Sequence, residues 1–251
     1  MTDALSSPRL DVSQEPRKEH RFLVNEAVAR LALRTAGTYL PLDREDRPYQ
    51  WSTTTYCDTY DFQVLRDEKL GHATQLRLRE YHRTRPSEVF TSDAIFFEMK
   101  DDAPDALMKE RYRIPTRDVP AYLRGDRRVD VGRGDLARRV VALVERGVRP
   151  VVVTQYNRVA YSAPDGSVRV TADHNLMYLA LPWEANTDDA IPCALGPVIG
   201  REPGVIIEVK WLDELPHWAD ELYSYIRAHM VNERPSKYVI AMRHLLGEVT
   251  S

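Results

Sequence analysis

Arginines at alternate positions mark the segment ATQLRLREYH, in which Arg77 and Arg79 are flanked by Leu76 and Leu78. On a β-strand this spacing sends both guanidinium groups to one face and both leucines to the other. A guanidinium is always charged, and its planar fork binds two phosphate oxygens at once. The pair therefore predicts either an ordinary polar face in water or one wall of an anion-binding site.

The same two-residue alternation of charged side chains recurs along the chain. It relates Arg17, Glu19 and Arg21; Glu98 and Lys100; Lys109, Arg111 and Arg113; Arg169, Thr171 and Asp173; and Glu208 and Lys210, while Arg158 lies in the middle of a further alternating segment. For one strand alone, the ordinary interpretation is a half-buried antiparallel strand whose polar side faces water. Nearly every strand contributes a cation, however, and Arg predominates, which favours a shared interior surface.

The segments that carry these charges alternate with a period of two, which is typical of β-strands. Predicted strands are TTYCDTY, TQLRLREY, DAIFFEMK, KERYRIP, PVVVTQYNRVAYSA, SVRVTAD and GVIIEVKW, and Asp165 with Gly166 indicates a hairpin turn. Apolar spacing predicts helices in VNEAVARLALRTAG, GDLARRVVALVERG and DELPHWADELYSYIRAHM. We expect Asn25 to cap the first helix and Gly37 to end it.

These patterns predict an α+β fold, a closed antiparallel β-barrel of about eight strands with helices packed outside. The apolar strand faces would pack outward against the helices, and the charged faces would line a shared lumen. Like charges in such a lumen repel each other in a low dielectric, so we expect it to hold water and a polyanion. A few carboxylates there would hold a divalent ion that bridges phosphate oxygens.

Composition limits the class of protein. The 251 residues are 43% hydrophobic and 29% charged with a formal net charge of -3, which is typical of a globular protein and argues against a nonspecific nucleic-acid binder. Residues 1–15 are polar and aperiodic, and we expect a disordered tail there and a single domain over residues 16–251. Two distant cysteines, no apolar leader and no apolar run near roughly 20 residues predict a cytoplasmic protein without direct membrane insertion.

Eight short segments, in order between residues 17 and 241, carry a resemblance to a known family. They are EHRFLV, TTYCDTYDF, QLRLREY, FFEMK, KERYRI, QYNRVAYSAPDGSVRVTAD, VIIEVKW and RPSKYVIAM. Their order resembles the triphosphate tunnel metalloenzymes (the CYTH superfamily). More closely, it resembles the polyphosphate polymerase domain of the vacuolar transporter chaperone (VTC) complex and its stand-alone bacterial relatives. The lumen of the predicted barrel would then be a triphosphate tunnel.

The resemblance implies roles for individual residues. Catalytic cations are implied at Arg77, Arg79, Lys100, Arg158 and Lys237. Substrate-binding residues are implied at Arg21, Lys109, Arg169, Arg234 and Ser236. Glu208 matches the metal-binding Glu of the family's EVK strand, whereas Glu19 and Glu98 either add metal ligands or pair with arginines of the lumen.

Two positions depart from the family pattern. The tunnel superfamily opens with Glu-x-Glu-x-Lys, and here these positions are Arg17, Glu19 and Arg21, which removes one ligand from a second metal site. Asp102 stands where the polymerases often have a His, and this bears on the polymerase assignment rather than on the fold.

The resemblance implies a polyphosphate polymerase that transfers the γ-phosphate of ATP to a growing inorganic polyphosphate chain, with Mn²⁺ or Mg²⁺ on the phosphates. A tunnel open at both ends would let the product leave. The same clamp with a positioned water would instead hydrolyse inorganic triphosphate or a nucleoside triphosphate. A polyphosphate-binding module without turnover is the third alternative. The expected partners are ATP and polyphosphate, or inorganic triphosphate, and a membrane-protein partner would provide any link to a membrane; the oligomeric state is not predicted.

Other residues have plainer expectations. Asp58 is expected to be structural, Cys57 to be a small buried residue, and the histidines show no metal-ligand spacing. Ser236 and Lys237, taken alone, would be a helix cap with a solvated lysine. Removing the charge of Arg77 or Arg158 is expected to abolish turnover and to leave the melting temperature unchanged or higher, because an empty cationic lumen repels itself.

Overall fold

The computed structural model describes residues 11–13, 18–46, 48–70, 73–103, 106–123, 135–181 and 194–248. Within these residues the strands are β1 (Asp11–Ser13), β2 (Lys18–Val24), β3 (Gln50–Asp58), β4 (Thr74–His82), β5 (Ala94–Ala103), β6 (Ala106–Pro115), β7 (Arg149–Ser162), β8 (Val168–Ala180), β9 (Val198–Arg201), β10 (Val205–Trp211) and β11 (Asn232–Glu233). The helices are α1 (Glu26–Tyr39), α2 (Gln63–Lys69), α3 (Val119–Leu123), α4 (Asp135–Glu145), α5 (His217–His229) and α6 (Lys237–Leu245). None of the helices in these ranges has the length and apolarity needed to cross a membrane.

The strands of the described ranges form one antiparallel sheet. Its hydrogen-bonded order is β1-β6-β5-β4-β3-β7-β8-β10-β2-β11, and β9 pairs with β8 off this path. The register sets Arg77 opposite Glu98 across β4 and β5. It also sets Arg158 opposite Asp173 across β7 and β8. The antiparallel α+β architecture is therefore confirmed, including the β7–β8 hairpin that the Asp-Gly turn predicted.

Closure of the sheet into a barrel is not confirmed. Among the described residues, no hydrogen-bonded pair joins the two ends of the strand order. The end strands β1 and β11 have three and two residues, and β9 has four. Strands this short offer few ladder hydrogen bonds and show no sequence period, so they were not predicted. The eight longer strands that remain match the number expected from the sequence.

The apolar faces of the long strands pack against helices, as expected. One buried cluster joins β4 and β5 to α3 and α4: Leu76, Leu78, Ile95, Phe97, Met99, Val119 and Val140. A second joins β2, β8 and β10 to α1 and α5: Phe22, Val170, Ile207, Val209, Ala29, Ala32, Leu222 and Ile226. This burial leaves the polar face, the opposite face of the sheet that carries the charged residues, on the side away from these helices.

Helix α1 shows one confirmed and one wrong prediction. The backbone N–H of Val28 donates to Oδ1 of Asn25 at 2.9 Å, so the predicted cap is present. Gly37 does not end the helix, which continues to Tyr39. A Cβ at Gly37 would lie 3.1 Å from the ring of Tyr161, so the glycine permits close approach of α1 to β7.

Helices α2 and α6 cover one end of the polar face. Leu23, Tyr56, Val152 and Ile206 project from the strands into a third buried cluster. The helices fill this cluster with Val64 and Leu65 of α2 and Tyr238, Ile240, Ala241 and Met242 of α6. The expectation of a passage open at both ends is therefore not confirmed.

The predicted disordered tail is corrected in part. Within residues 1–15, Asp11–Ser13 forms β1 and pairs with β6, where Val12 lies opposite Glu110. Pairing with an edge strand satisfies backbone hydrogen-bonding groups that a disordered segment would leave to water. The rest of the predicted tail lies outside the described residues.

One buried carboxylate holds the loop between β4 and β5. Glu80 is 1% exposed. Its carboxylate accepts the backbone N–H groups of Phe90, Thr91 and Ser92 at 2.7, 2.8 and 3.1 Å. Phe90 has a left-handed backbone with φ of 59°, which is costly for a non-glycine residue and needs such support.

We expect Glu80→Ala to lower the free energy of unfolding by about 3 kcal/mol, because it leaves three backbone donors without their acceptor. Urea denaturation measures the change. Glu88→Ala is the matched control, since Glu88 is an exposed residue of the same loop. Its loss should stay within about 0.5 kcal/mol. Equal losses in the two variants would contradict the anchoring role of Glu80.

Candidate functional site

The polar face gathers cationic side chains that the sequence singled out. Arg21, Arg77, Arg79, Lys100, Arg158, Arg169 and Lys237 are each buried or half-buried there, not extended into bulk solvent. Strand alternation places the six strand residues on the side opposite the first two apolar clusters, and Lys237 reaches the same face from α6. The backbone of Lys109 lies on β6 opposite Lys100, but its side chain is outside the described residues.

A cavity of about 540 Å³ opens on this face. Its lining includes one arginine each from β4, β6, β7 and β8, namely Arg79, Arg111, Arg158 and Arg169. Arg44 adds a further guanidinium to the lining. Each guanidinium can bind two phosphate oxygens at once, so a cavity lined by several of them is suited to an extended polyanion.

Glu98 compensates the arginines on the β4 side of the cavity. The carboxylate is fully buried, and Nε of Arg77 donates to it at 2.7 Å. Nη1 of Arg79 and Nε of Arg111 lie 3.5 and 3.6 Å from its oxygens. Arg111 also stacks over the ring of Phe96 at 3.7 Å. The geometry favours the second alternative for Glu98, pairing with arginines of the polar face.

Asp173 joins two of the predicted catalytic cations. The carboxylate is fully buried and accepts Nε and Nη2 of Arg158 at 2.6 and 2.8 Å. Nζ of Lys237 lies 2.7 Å from the same carboxylate. Burial would raise the pKa of Asp173, but the charges of Arg158 and Lys237 outweigh burial and hold this pKa below its usual range. Asp173 is therefore ionised at neutral pH.

The ring of Tyr156 lies beneath the same two cations. The Arg158 guanidinium carbon and the Lys237 ammonium lie 5.1 and 5.0 Å from its centroid, within cation–π distance. Burial would raise the pKa of Tyr156, but the nearby arginines lower it to about 8. The electron-rich face of the ring attracts both cations, and it does so without adding a further carboxylate beside them.

The amino-terminal end of α6 places Lys237. Ser236 caps the helix, because its Oγ accepts the N–H of Val239 at 3.2 Å, and its hydroxyl donates to Glu68 of α2. Tyr238 donates its hydroxyl to Asp58. Ser236 is thus the expected cap, but Lys237 is only 9% exposed and is not solvated.

Asp58 is structural, as expected. Its carboxylate accepts the backbone N–H groups of Val64 and Leu65 of α2 at 2.8 and 3.1 Å. Through Tyr238 it also ties α2 to α6. Cys57, the preceding residue, is fully buried, and burial raises the pKa of its thiol, which agrees with the expected packing role.

A third cluster of carboxylates and cations contains Glu208 of β10 and Glu19 of β2. Nε of Arg21 donates to Glu208 at 2.9 Å, and Nζ of Lys210 lies 3.3 Å from Glu208. Lys210 and Arg21 also both contact Glu19. Burial would raise the pKa of Glu208, but Lys210 and Arg21 hold it well below its usual range. Burial lowers the pKa of Lys210 to about 8.

Comparison with known proteins identifies the family. The model of the VTC domain matches residues 16–246. The chain belongs to the VTC domain family. The family expected from the sequence is therefore confirmed.

Two known proteins, one similar in sequence and one similar in fold, illustrate the similarity of this VTC domain to other proteins. Subunit 4 of the vacuolar transporter chaperone complex of Trypanosoma brucei brucei is 24% identical over an alignment 267 positions long, which covers 90% of this chain and 33% of the relative. The chain thus spans about a third of that relative's length. A Bacillus halodurans crystal structure, described as a candidate adenylate cyclase, matches 90% of this chain and 95% of its own with a TM-score of 0.53 and 13% identity. The second match shows a shared fold.

The three predicted metal ligands of the VTC domain do not form one group. Glu98 is held by arginines on β4 and β6, whereas Glu19 and Glu208 share the ammonium of Lys210. In the described ranges, no three His, Cys, Asp or Glu side chains are arranged to hold a metal ion. Mg²⁺ is commonly bound by one or two carboxylates together with substrate phosphates. Glu208 with Glu19 suits that arrangement, because Lys210 shows that a cation is accommodated between them.

The remaining predicted residues of the VTC domain lie at the edges of the site. Arg169 pairs with Asp43 at 2.7 Å in the cavity lining. Arg234 pairs with Glu202 at 2.5 Å, and Glu202 also accepts the hydroxyl of Tyr178 at 2.6 Å. Arg234 is therefore held near the end covered by α6, outside the cavity lining.

Asp173 and Arg111 belong to the alternating pattern of the sequence but were not among the predicted site residues. Asp173 contacts Arg158 and Lys237, and Arg111 lines the cavity. The available signal was their spacing, since Asp173 follows Arg169 by four residues and Arg111 follows Lys109 by two. Their partners depend on strand register, which alternation alone does not give.

Proposed function

We propose that this VTC domain is a polyphosphate polymerase that transfers the γ-phosphoryl group of ATP to the terminal phosphate of a polyphosphate chain. One observation supports the proposal above the others: a cavity of about 540 Å³ lined by Arg79, Arg111, Arg158 and Arg169. The buried Lys237 lies beside Arg158 through their shared partner Asp173. This concentration of cations suits the phosphates of a nucleoside triphosphate together with the end of a polyphosphate chain.

The chemistry asks for positioning and charge neutralisation. A terminal phosphate oxygen of the polyphosphate attacks the γ-phosphorus, the bond from that phosphorus to the β–γ bridging oxygen breaks, and ADP leaves with the electron pair. The attacking oxygen is already anionic near neutral pH, so no strong general base is needed. Arg79, Arg158 and Lys237 would neutralise the charge that develops on the phosphoryl oxygens.

A divalent cation belongs to the same proposal. We propose that Glu208, with Glu19, holds Mg²⁺ or Mn²⁺ against the substrate phosphates. When bound, such an ion offsets phosphate charge and helps to orient the triphosphate. Glu208 is suited to this because the residue is buried, with 5% of its surface exposed, and its carboxylate remains ionised.

Protein partners are proposed from the relative. The matched Trypanosoma brucei brucei protein is named as a subunit of a complex. We infer that this VTC domain also works with protein partners, including one in a membrane. The cytoplasmic location remains a prediction from the sequence.

The proposal predicts polymer formation from ATP. Purified protein incubated with ATP and Mn²⁺ should produce polyphosphate visible on a gel, and Arg79→Met should reduce the yield by about 100-fold or more. Arg30→Met removes the same charge from the exposed face of α1 and should leave the yield unchanged. Orthophosphate without polymer would instead show a triphosphatase. Triphosphate binding with neither product would indicate a binding module.

A further inference from the structure

Asp173 is fully buried and contacts two cations of the polar face that come from different elements. Arg158 lies directly opposite it on β7, and Lys237 reaches it from the first residue of α6. A buried carboxylate with this pairing fixes the distance between the two cations. It also fixes α6 against the sheet, since Lys237 is the helix residue that enters the site.

The two cations do not share Asp173 equally. Arg158 uses both Nε and Nη2, one on each carboxylate oxygen, at 2.6 and 2.8 Å. The contact of Lys237 is between Nζ and Oδ2, at 2.7 Å. A bidentate pair keeps its geometry when a third group leaves, whereas a single ammonium contact is easily exchanged for a phosphate oxygen.

We propose that Asp173 is a positioning residue that retains Arg158 and transfers Lys237 to the phosphate chain when substrate enters. The proposal rests on the proposed function of the cavity as a triphosphate site. In the empty site Asp173 holds both cations at a fixed separation. In the occupied site it would hold Arg158 alone, through Nε and Nη2, while Arg158 continues to line the cavity. Asp173 itself touches no substrate in this scheme.

This scheme predicts opposite effects on binding and on turnover. Asp173→Asn removes a negative charge beside a polyanion, so the dissociation constant for triphosphate should fall or stay unchanged. The same change releases Arg158 and Lys237 from their set positions, and kcat should fall by about 100-fold, the loss that a displacement of roughly 1 Å produces. Loss of folded protein would instead lower the binding stoichiometry and leave the dissociation constant unchanged.

A binding experiment separates this inference from the proposed function. Inorganic triphosphate is titrated by calorimetry into the wild type, Asp173→Asn, Lys237→Met and the double variant. Lys237→Met should weaken binding at least fivefold more in the Asp173→Asn background, because Lys237 no longer has to leave a carboxylate. Effects that multiply without coupling would overturn the transfer of Lys237. Failure of the polymerase assay alone would leave this result standing.

Two further variants complete the test. Asp165→Asn makes the same substitution in the exposed turn of the β7–β8 hairpin and should change neither kcat nor the dissociation constant. Asp173→Glu keeps the charge in case Asp173→Asn fails to fold. Its longer side chain shifts both cations, so kcat should fall at least tenfold with triphosphate binding retained. Wild-type kcat in either Asp173 variant would overturn the positioning role.

Discussion

Replacing Arg158 with methionine is expected to lower the free energy of unfolding by about 3 kcal/mol and to abolish turnover. Arg158 makes a bidentate pair with Asp173, which is fully buried. Removing one partner of a buried pair leaves a carboxylate without most of its compensation, and such losses are typically about 3 to 5 kcal/mol. Lys237 stays beside Asp173, which puts the loss at the lower end. Urea denaturation and the polymer assay measure the two effects.

The expected stability change has the opposite sign from the one that the sequence suggested. Alternation alone indicated a lumen of unpaired cations, in which losing a charge would relieve repulsion. In the structure Arg77 pairs with Glu98, Arg158 with Asp173, and Arg21 with Glu208. Each of these cations has a carboxylate partner beside it. Removing the cation therefore leaves a buried carboxylate without its compensating charge, instead of relieving repulsion between cations.

Arg169→Met is the matched control for Arg158→Met. Arg169 lines the same cavity, but its pair with Asp43 is partly exposed, with side-chain exposures of 33% and 27%. Exposed pairs contribute about 0 to 1 kcal/mol. The control should therefore weaken triphosphate binding and leave the unfolding free energy within about 1 kcal/mol of wild type. An Arg158→Met protein that is as stable as wild type, or more stable, would restore the unpaired-lumen picture.

The fold was largely predictable because period-two alternation and apolar spacing are local signals. Helices α4 and α5 fall within their predicted segments, α1 begins within its segment and runs two residues past Gly37, and the β7–β8 hairpin lies at the predicted turn. Helix α2 was missed because its cap comes from Asp58, at the end of β3, and its sequence lacks a strong apolar stripe. The short edge strands were missed because their pairing is decided by tertiary contacts.

The cations of the candidate site were predictable from the sequence, whereas the carboxylates that pair with them were less so. Alternation placed Arg77, Arg79 and Arg158 on one face, and the structure places them there. Which carboxylate meets which cation depends on strand order and register, and β5, which carries Glu98, is separated in the sheet from β10, which carries Glu208, by β4, β3, β7 and β8. For this reason Glu98 and Glu208 resembled each other in sequence but lie in different groups.

The two glutamates are expected to respond differently when each is changed to glutamine. Glu208→Gln should raise the Mn²⁺ concentration for half-maximal activity by about 10-fold or more, because it removes a proposed ligand. Glu98→Gln should leave that concentration within about twofold of wild type. Glu98 is contacted by Arg77, Arg79 and Arg111, whereas Glu19 is contacted by Arg21 and Lys210. Direct Mn²⁺ binding, measured by electron paramagnetic resonance, gives a second readout that does not depend on turnover.

Triphosphate affinity in the absence of metal tests whether Glu98 compensates the arginines or binds the metal ion. Removing its charge leaves three guanidinium groups without their internal carboxylate, so the dissociation constant for inorganic triphosphate should fall by about 10-fold. The fully buried position of Glu98 also predicts lower stability for the variant, since the three arginines then repel one another. A shift in metal dependence in Glu98→Gln, with none in Glu208→Gln, would reverse the assignment and place the cation between β4 and β6.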